Sequence, residues 1–138
     1  MKDKRKTILF VCVHNSGRSQ MAEAFFNKLT EGKAIGLSAG TQPSNKVNPV
    51  VVEVMREVDV DIGDNKPKAL TRDMVGIANR MITMGCGAEA EAVCPATFVE
   101  TEDWALEDPK GKSVGQVRKI RDKIKERVSK LVKEIFII

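Results

Sequence analysis

Tyrosine is absent from the chain, histidine and tryptophan occur once each, and aromatic residues make up only 4% of the 138 positions. So few rings leave little to stack on bases, which argues against a nucleic-acid-binding module. No apolar run approaches the ~20 residues that span a bilayer, so no membrane segment is expected. The basic start, Met1-Lys2-Asp3-Lys4-Arg5-Lys6, is followed by too short an apolar run for a secretory signal, and no small-residue cleavage site follows. A cytoplasmic protein is the expectation. Three cysteines are not the framework of a secreted disulfide scaffold, and point instead to thiol chemistry or metal. No Cys-x2-Cys pair is present, so a zinc site drawing on His14 is not expected.

Basic residues are missing from one stretch altogether. Residues 81–108 hold no Lys or Arg but seven acids, whereas residues 112–133 hold nine basic residues against Asp122 and Glu126. The formal net charge of +4 is therefore the sum of a basic tail at residues 1–6, an acidic segment and a basic helix face. Such a face is ordinarily a solvated one.

With 42% hydrophobic and 30% charged residues, the chain has the composition of one globular domain spanning residues 1–138. The run at residues 7–13, Thr-Ile-Leu-Phe-Val-Cys-Val, reads as a buried strand. After a polar turn, Met21, Ala24, Phe25 and Leu29 recur at helical spacing, and Gly32 is expected to end that helix. A second strand is expected at 34–39, closed by Gly40. Asn48-Pro49 is a helix start running to about Val58, with Val51, Val54, Met55 and Val58 on one face. Thr71 is a cap for a short helix toward Ala78. A third strand is expected at 80–84 and a short fourth near Phe98. Ser113 and Gln116 have capping-box spacing, ahead of a long helix carrying Val117, Ile120, Ile124, Val128, Leu131 and Ile135. Alternating strands and helices predict an α/β fold with a parallel sheet, whose ligands bind beyond the carboxyl ends of the strands.

The segment from Cys12 through Val13, His14, Asn15, Ser16 and Gly17 to Arg18 lies at such an end. A strand–loop–helix junction aims backbone N–H groups and a helix N-terminus at one point, which suits an anion. Gly17 permits the tight bend, and Arg18 can fork two donors onto a tetrahedral oxyanion. The same dipoles favour a thiolate at Cys12, and Ser19 can hydrogen-bond it. Such a thiolate is a nucleophile for the central atom of the bound anion. Asp108, in an Asp108-Pro109 turn, is a candidate general acid. Cys86 and Cys94 follow the third strand; if that strand neighbours the first, Cys86 can approach Cys12. Three thiols around one anion site suggest serial thiol–disulfide exchange. His14 is read as a loop residue turned away from the anion, because a nucleophile held by such a cradle needs no base.

In these motifs, and in Ser38-Ala-Gly40, Val47-Asn-Pro49, residues 57–62 and Trp104 to Lys112, the chain resembles the thioredoxin-coupled arsenate reductases. Those enzymes have the low-molecular-weight protein tyrosine phosphatase fold. The resemblance implies a four-stranded parallel sheet flanked by helices, in three layers. A monomer is the simpler expectation, and no cofactor is expected. It implies that Cys12 attacks arsenate, that Arg18 clamps the oxyanion, that Ser19 stabilises the thiolate and that Asp108 is the acid. Cys86 then resolves Cys12 with release of arsenite. Cys94 forms a Cys86–Cys94 disulfide for a thioredoxin-like dithiol reductant. Seven residues separate these cysteines where better-known members have six, and Gly17 stands where some carry a further cysteine. Some members hold potassium with asparagine, glutamate, serine and aspartate. Asn15, Glu23 and Ser38 match three of these, but Lys68 stands at the aspartate position, and its ammonium is expected to replace the ion. A phosphotyrosine-type phosphatase using Cys12, Arg18 and Asp108 alone is the alternative. The absence of tyrosine from the Asp108-Pro109 region speaks against it. A non-catalytic oxyanion-binding or redox-sensing module is a third reading.

Overall fold

The structure, a computed structural model, describes residues 5–85 and 100–136. Its strands are β1 (Lys6–Cys12), β2 (Ala34–Gly40), β3 (Arg80–Thr83) and β4 (Glu100–Asp103), and its helices α1 (Arg18–Thr30), α2 (Pro49–Arg56), α3 (Arg72–Ile77) and α4 (Val114–Ile135). The strands form one parallel sheet in the order β2-β1-β3-β4. The chain leaves β1 toward β2 on one side and returns to β3 on the other. The connections therefore diverge beyond the end of β1, where a crevice opens. Register sets Cys12 opposite Gly40 and Val11 opposite Thr83.

Residues 7–12 are all buried, so both faces of β1 are covered, as a parallel sheet between helical layers requires. Phe10 meets Phe26 of α1 edge-on at 5.7 Å between ring centroids and Trp104 at 5.9 Å. The apolar stripe of α4 buries Val117, Ile120, Ile124, Val128 and Leu131 against this core, while Ile135 is partly buried. No helix among the described residues is long and apolar enough to cross a membrane.

Local chemistry accounts for the helix starts. Asn48 accepts from the Val50 N–H at 2.9 Å with Pro49 first in α2. Thr71 accepts from the Met74 N–H, and Ser113 and Gln116 close a capping box on α4. Several expectations shift. Leu29 is 42% exposed, and Ala22 and Phe26 join Met21 and Phe25 in the core instead. The left-handed turn that ends α1 begins at Glu31 (φ 49°), one residue before Gly32 (φ 83°). Helix α2 stops at Arg56, two residues short of Val58. The fourth strand comprises Glu100–Asp103, beyond Phe98, which lies outside the described residues. The basic face of α4 is not wholly solvated. Arg121 is 9% exposed and donates to the Val54 carbonyl at 2.8 Å and to Glu57 at 2.9 Å, tying α4 to α2.

Candidate active site

Strand β1 ends on Cys12, and α1 begins at Arg18 with no side-chain cap on its N-terminus. The intervening loop is held from outside by its carbonyls. The Cys12, Val13, His14 and Ser16 carbonyls accept from the N–H groups of Thr41, Gln42, Ser44 and Asn48, at 2.7–3.1 Å. Carbonyl and N–H point oppositely across a trans peptide. The N–H groups of residues 13, 14, 15 and 17 are thereby turned inward, toward one concavity at the helix N-terminus. The loop so arranged forms a cradle of backbone donors, an arrangement that suits an anion. Gly40 allows β2 to run beneath it, since a Cβ there would lie 2.7 Å from the Val13 carbonyl oxygen.

Cys12 is 2% exposed. Its Sγ accepts from the Asn15 N–H at 3.2 Å and lies 2.9 Å from Ser19 Oγ. The direction of the second bond follows from the network behind it. The Lys68 backbone N–H can only donate, and does so to Asn15 Oδ1 at 2.8 Å. The other end of that amide is therefore its NH2, which donates to Ser19 Oγ at 2.6 Å. Ser19 is left with its single hydrogen for the sulfur. Both groups facing Sγ are thus donors, the arrangement that favours a thiolate. Asn15 needs a left-handed backbone (φ 49°) to make this double contact. Gln20 steadies it, donating to Asn15 Oδ1 at 3.0 Å and to the Lys66 carbonyl, while its own Oε1 accepts from Asn65.

Arg18 is 6% exposed and held by one nitrogen. Nη1 donates to the carbonyls of Met84 and Leu106. Nη2 lies 3.9 Å from Asp108 Oδ2. Asp108 both makes a turn, its Oδ1 accepting from the Lys110 N–H at 3.0 Å, and overhangs the cradle half-exposed. Pro109 presses on the loop so closely that a Cβ at Gly17 would lie 2.6 Å from its Cγ. His14 points its Nδ1 at the Gln42 carbonyl, 3.2 Å away. Cys86 and Cys94 lie outside the described residues. Gly85 (φ 90°), the residue before Cys86, packs on Arg18, where a Cβ would lie 2.9 Å from Nη1.

Behind the cradle, Lys68 Nζ lies 3.9 Å from Glu23 Oε1. Burial raises the Glu23 carboxyl above its ordinary value, opposed by the Lys68 charge and by Ser38. Ser38 is buried beside that carboxylate. Sequence reasoning did not single out Gln20, Asn65 or the 41–48 clamp. The available signal was Gln20 itself, an amide at a helix position otherwise flanked by buried residues.

A family model, the low molecular weight phosphotyrosine protein phosphatases, matches residues 7–136. The chain is 39% identical over 130 residues to arsenate reductase 1 of Bacillus cereus, an alignment covering 93% of this chain and 95% of that protein. Among solved structures, it superposes on a thioredoxin-dependent arsenate reductase of Corynebacterium glutamicum with a TM-score of 0.83 and 34% identity. That match covers 98% of this chain and 64% of the longer one. An arsenate reductase in its phosphate-binding state matches with a TM-score of 0.80 and 36% identity, over 94% and 98% of the two chains. With nearly its whole length matched, and with the cysteine–arginine cradle at the head of its first helix, the chain belongs to the low molecular weight phosphotyrosine protein phosphatase family.

Proposed function

We propose that the protein reduces arsenate to arsenite in a cycle that ends on a disulfide. The carrying observation is a sulfur at Cys12 met, among the described residues, only by donors, in a cradle of N–H groups beside Arg18 and Asp108. The similarity to arsenate reductases supports the choice of substrate. In the first step the Cys12 thiolate forms a bond to arsenic, and one arsenate oxygen leaves as water, protonated by Asp108. Arg18 and the inward N–H groups of the loop hold the remaining oxygens, whose charge rises in the transition state. Cys86 then attacks Cys12 Sγ. The S–As electron pair stays on arsenic, which departs as arsenite, and a Cys12–Cys86 disulfide remains. Cys94 attacks Cys86, freeing Cys12 as thiolate, and a dithiol of the thioredoxin class reduces the Cys86–Cys94 bond.

Potassium does not fit the residues present. The Lys68 ammonium already faces Glu23, so a second cation there would meet like charge. Lys68 is the resident charge behind the cradle, and no step needs the ion.

A single turnover tests the cycle. Fully reduced protein is mixed with arsenate and no external reductant, and arsenite and free thiols are counted. About one equivalent of arsenite, loss of two thiols and a Cys86–Cys94 disulfide by peptide mass are expected. Three intact thiols and no arsenite would overturn the proposal and turn attention to phosphate monoesters.

A further inference from the structure

Beyond the cradle, one carboxylate and one guanidinium cross-brace the ends of β3 and β4. Asp103, the last residue of β4, accepts on Oδ1 from the Thr83 hydroxyl at 2.5 Å and from the Gly85 N–H at 2.9 Å. Its Oδ2 accepts from the Ala105 N–H at 3.0 Å. Arg18 Nη1 takes the carbonyls of Met84 and Leu106. The two groups thus grip the same pair of chain exits, Asp103 by the N–H groups of residues 85 and 105, Arg18 by the carbonyls of residues 84 and 106.

The backbone at these exits does not adopt this shape unaided. Ala105 sits at φ 44°, a left-handed conformation that costs a non-glycine residue about 1 kcal/mol or more. Gly85 has φ 90° and lies against Arg18. A carboxylate accepting from both N–H groups is what holds both turns. The carbonyl of residue 84 belongs to the peptide whose N–H is that of residue 85, so fixing that N–H fixes the carbonyl that Arg18 uses.

We propose that Asp103 is a positioning residue for oxyanion binding, acting through Arg18. By setting the Met84 carbonyl through the shared peptide, and by holding the Ala105 turn that leads to Leu106, it anchors Nη1, and so aims the opposite edge of the guanidinium at the cradle. Bidentate binding of a tetrahedral anion requires that aim, because a planar fork loses one of its bonds when it is rotated. This rests on the reading of Arg18 as the oxyanion clamp.

The test is a double-mutant cycle on the binding of inorganic phosphate. Binding is read by its protection of the Cys12 peptide from iodoacetamide, quantified by mass spectrometry. Asp103→Asn puts an NH2 where one donor must be accepted. It is expected to weaken phosphate binding ~10-fold in the native background and less than ~2-fold in Arg18→Lys, where no fork remains to be aimed. Thr83→Val removes one donor to Asp103 with little change of shape. It serves as the second variant should Asp103→Asn fail to fold, with ~3-fold expected in the native background and no loss in Arg18→Lys. Equal weakening in both backgrounds would make Asp103 merely structural and overturn the proposal, as would unchanged binding in the native one. If Arg18→Lys alone left phosphate binding intact, the clamp reading itself would fall, and that result is separate from any behaviour of Asp103.

Discussion

Replacing Lys68 by methionine keeps most of the stem and the backbone N–H that orients Asn15, but removes the charge that faces Glu23. The bare attraction of two unit charges at 3.9 Å is about 4 kcal/mol at an effective dielectric near 20. Lys68 is 40% exposed, so solvent screens much of this, and a net loss of about 1–2 kcal/mol is expected at neutral pH. The pH dependence carries the diagnosis. Burial already raises the Glu23 carboxyl above its ordinary 4.5. As pH climbs through that ordinary value, the unfolded chain ionises while the folded one still holds its proton, so stability falls until the folded carboxyl ionises too. Without Lys68 the folded carboxyl rises further and the window of falling stability widens upward. Urea unfolding at fixed ionic strength should show wild type and Lys68→Met nearly equal at about pH 4, with the gap opening toward pH 7. A deficit of constant size across this range would refute the electrostatic account and leave only lost packing.

Three further outcomes follow from the same geometry. Lys68→Asp should gain stability in potassium over sodium chloride in paired thermal melts, whereas the native protein should melt alike in both. Ser19→Ala removes the hydroxyl donor to Cys12 Sγ and should slow alkylation of Cys12 at neutral pH ~5–10-fold, the equivalent of one charge-assisted hydrogen bond. Gly17→Ala would drive a methyl to within 2.6 Å of Pro109 Cγ, so the Asp108 loop must lift. Single-turnover arsenate reduction should fall by ~10-fold or more, with the circular dichroism spectrum retained.

Most of the fold was legible because its signals are local. The apolar run of β1, the Asn48-Pro49 start and the Ser113 capping box each carry their own cause, and each lies where the pattern put it. Strand β4 was displaced because Glu100, Thr101, Glu102 and Asp103 offer no apolar alternation, and it is the β3 ladder that makes them a strand. Leu29 fits the helical period and lies on the same side as Ala22 and Phe26, but it sits in the last turn of α1 and is 42% exposed. At the site, Cys12, Arg18 and Ser19 could be read from adjacency in sequence. Asp103 and Gln20 could not, because most of their partners lie 18 or more residues away, and a lone Asp or Gln carries no spacing of its own.

The donors around Cys12 carry a liability as well as a reactivity. The thiolate that the proposed first step requires is the form that peroxides oxidise, first to a sulfenic acid and then, without rescue, beyond repair. Burial of Cys12 leaves the mouth of the cradle as the route of attack, and on the proposed function that is also where a tetrahedral anion enters. An occupying phosphate would therefore act as a plug against oxidants. In a cell rich in phosphate and poor in arsenate, such competition is also a form of storage, keeping the nucleophile intact until its substrate arrives.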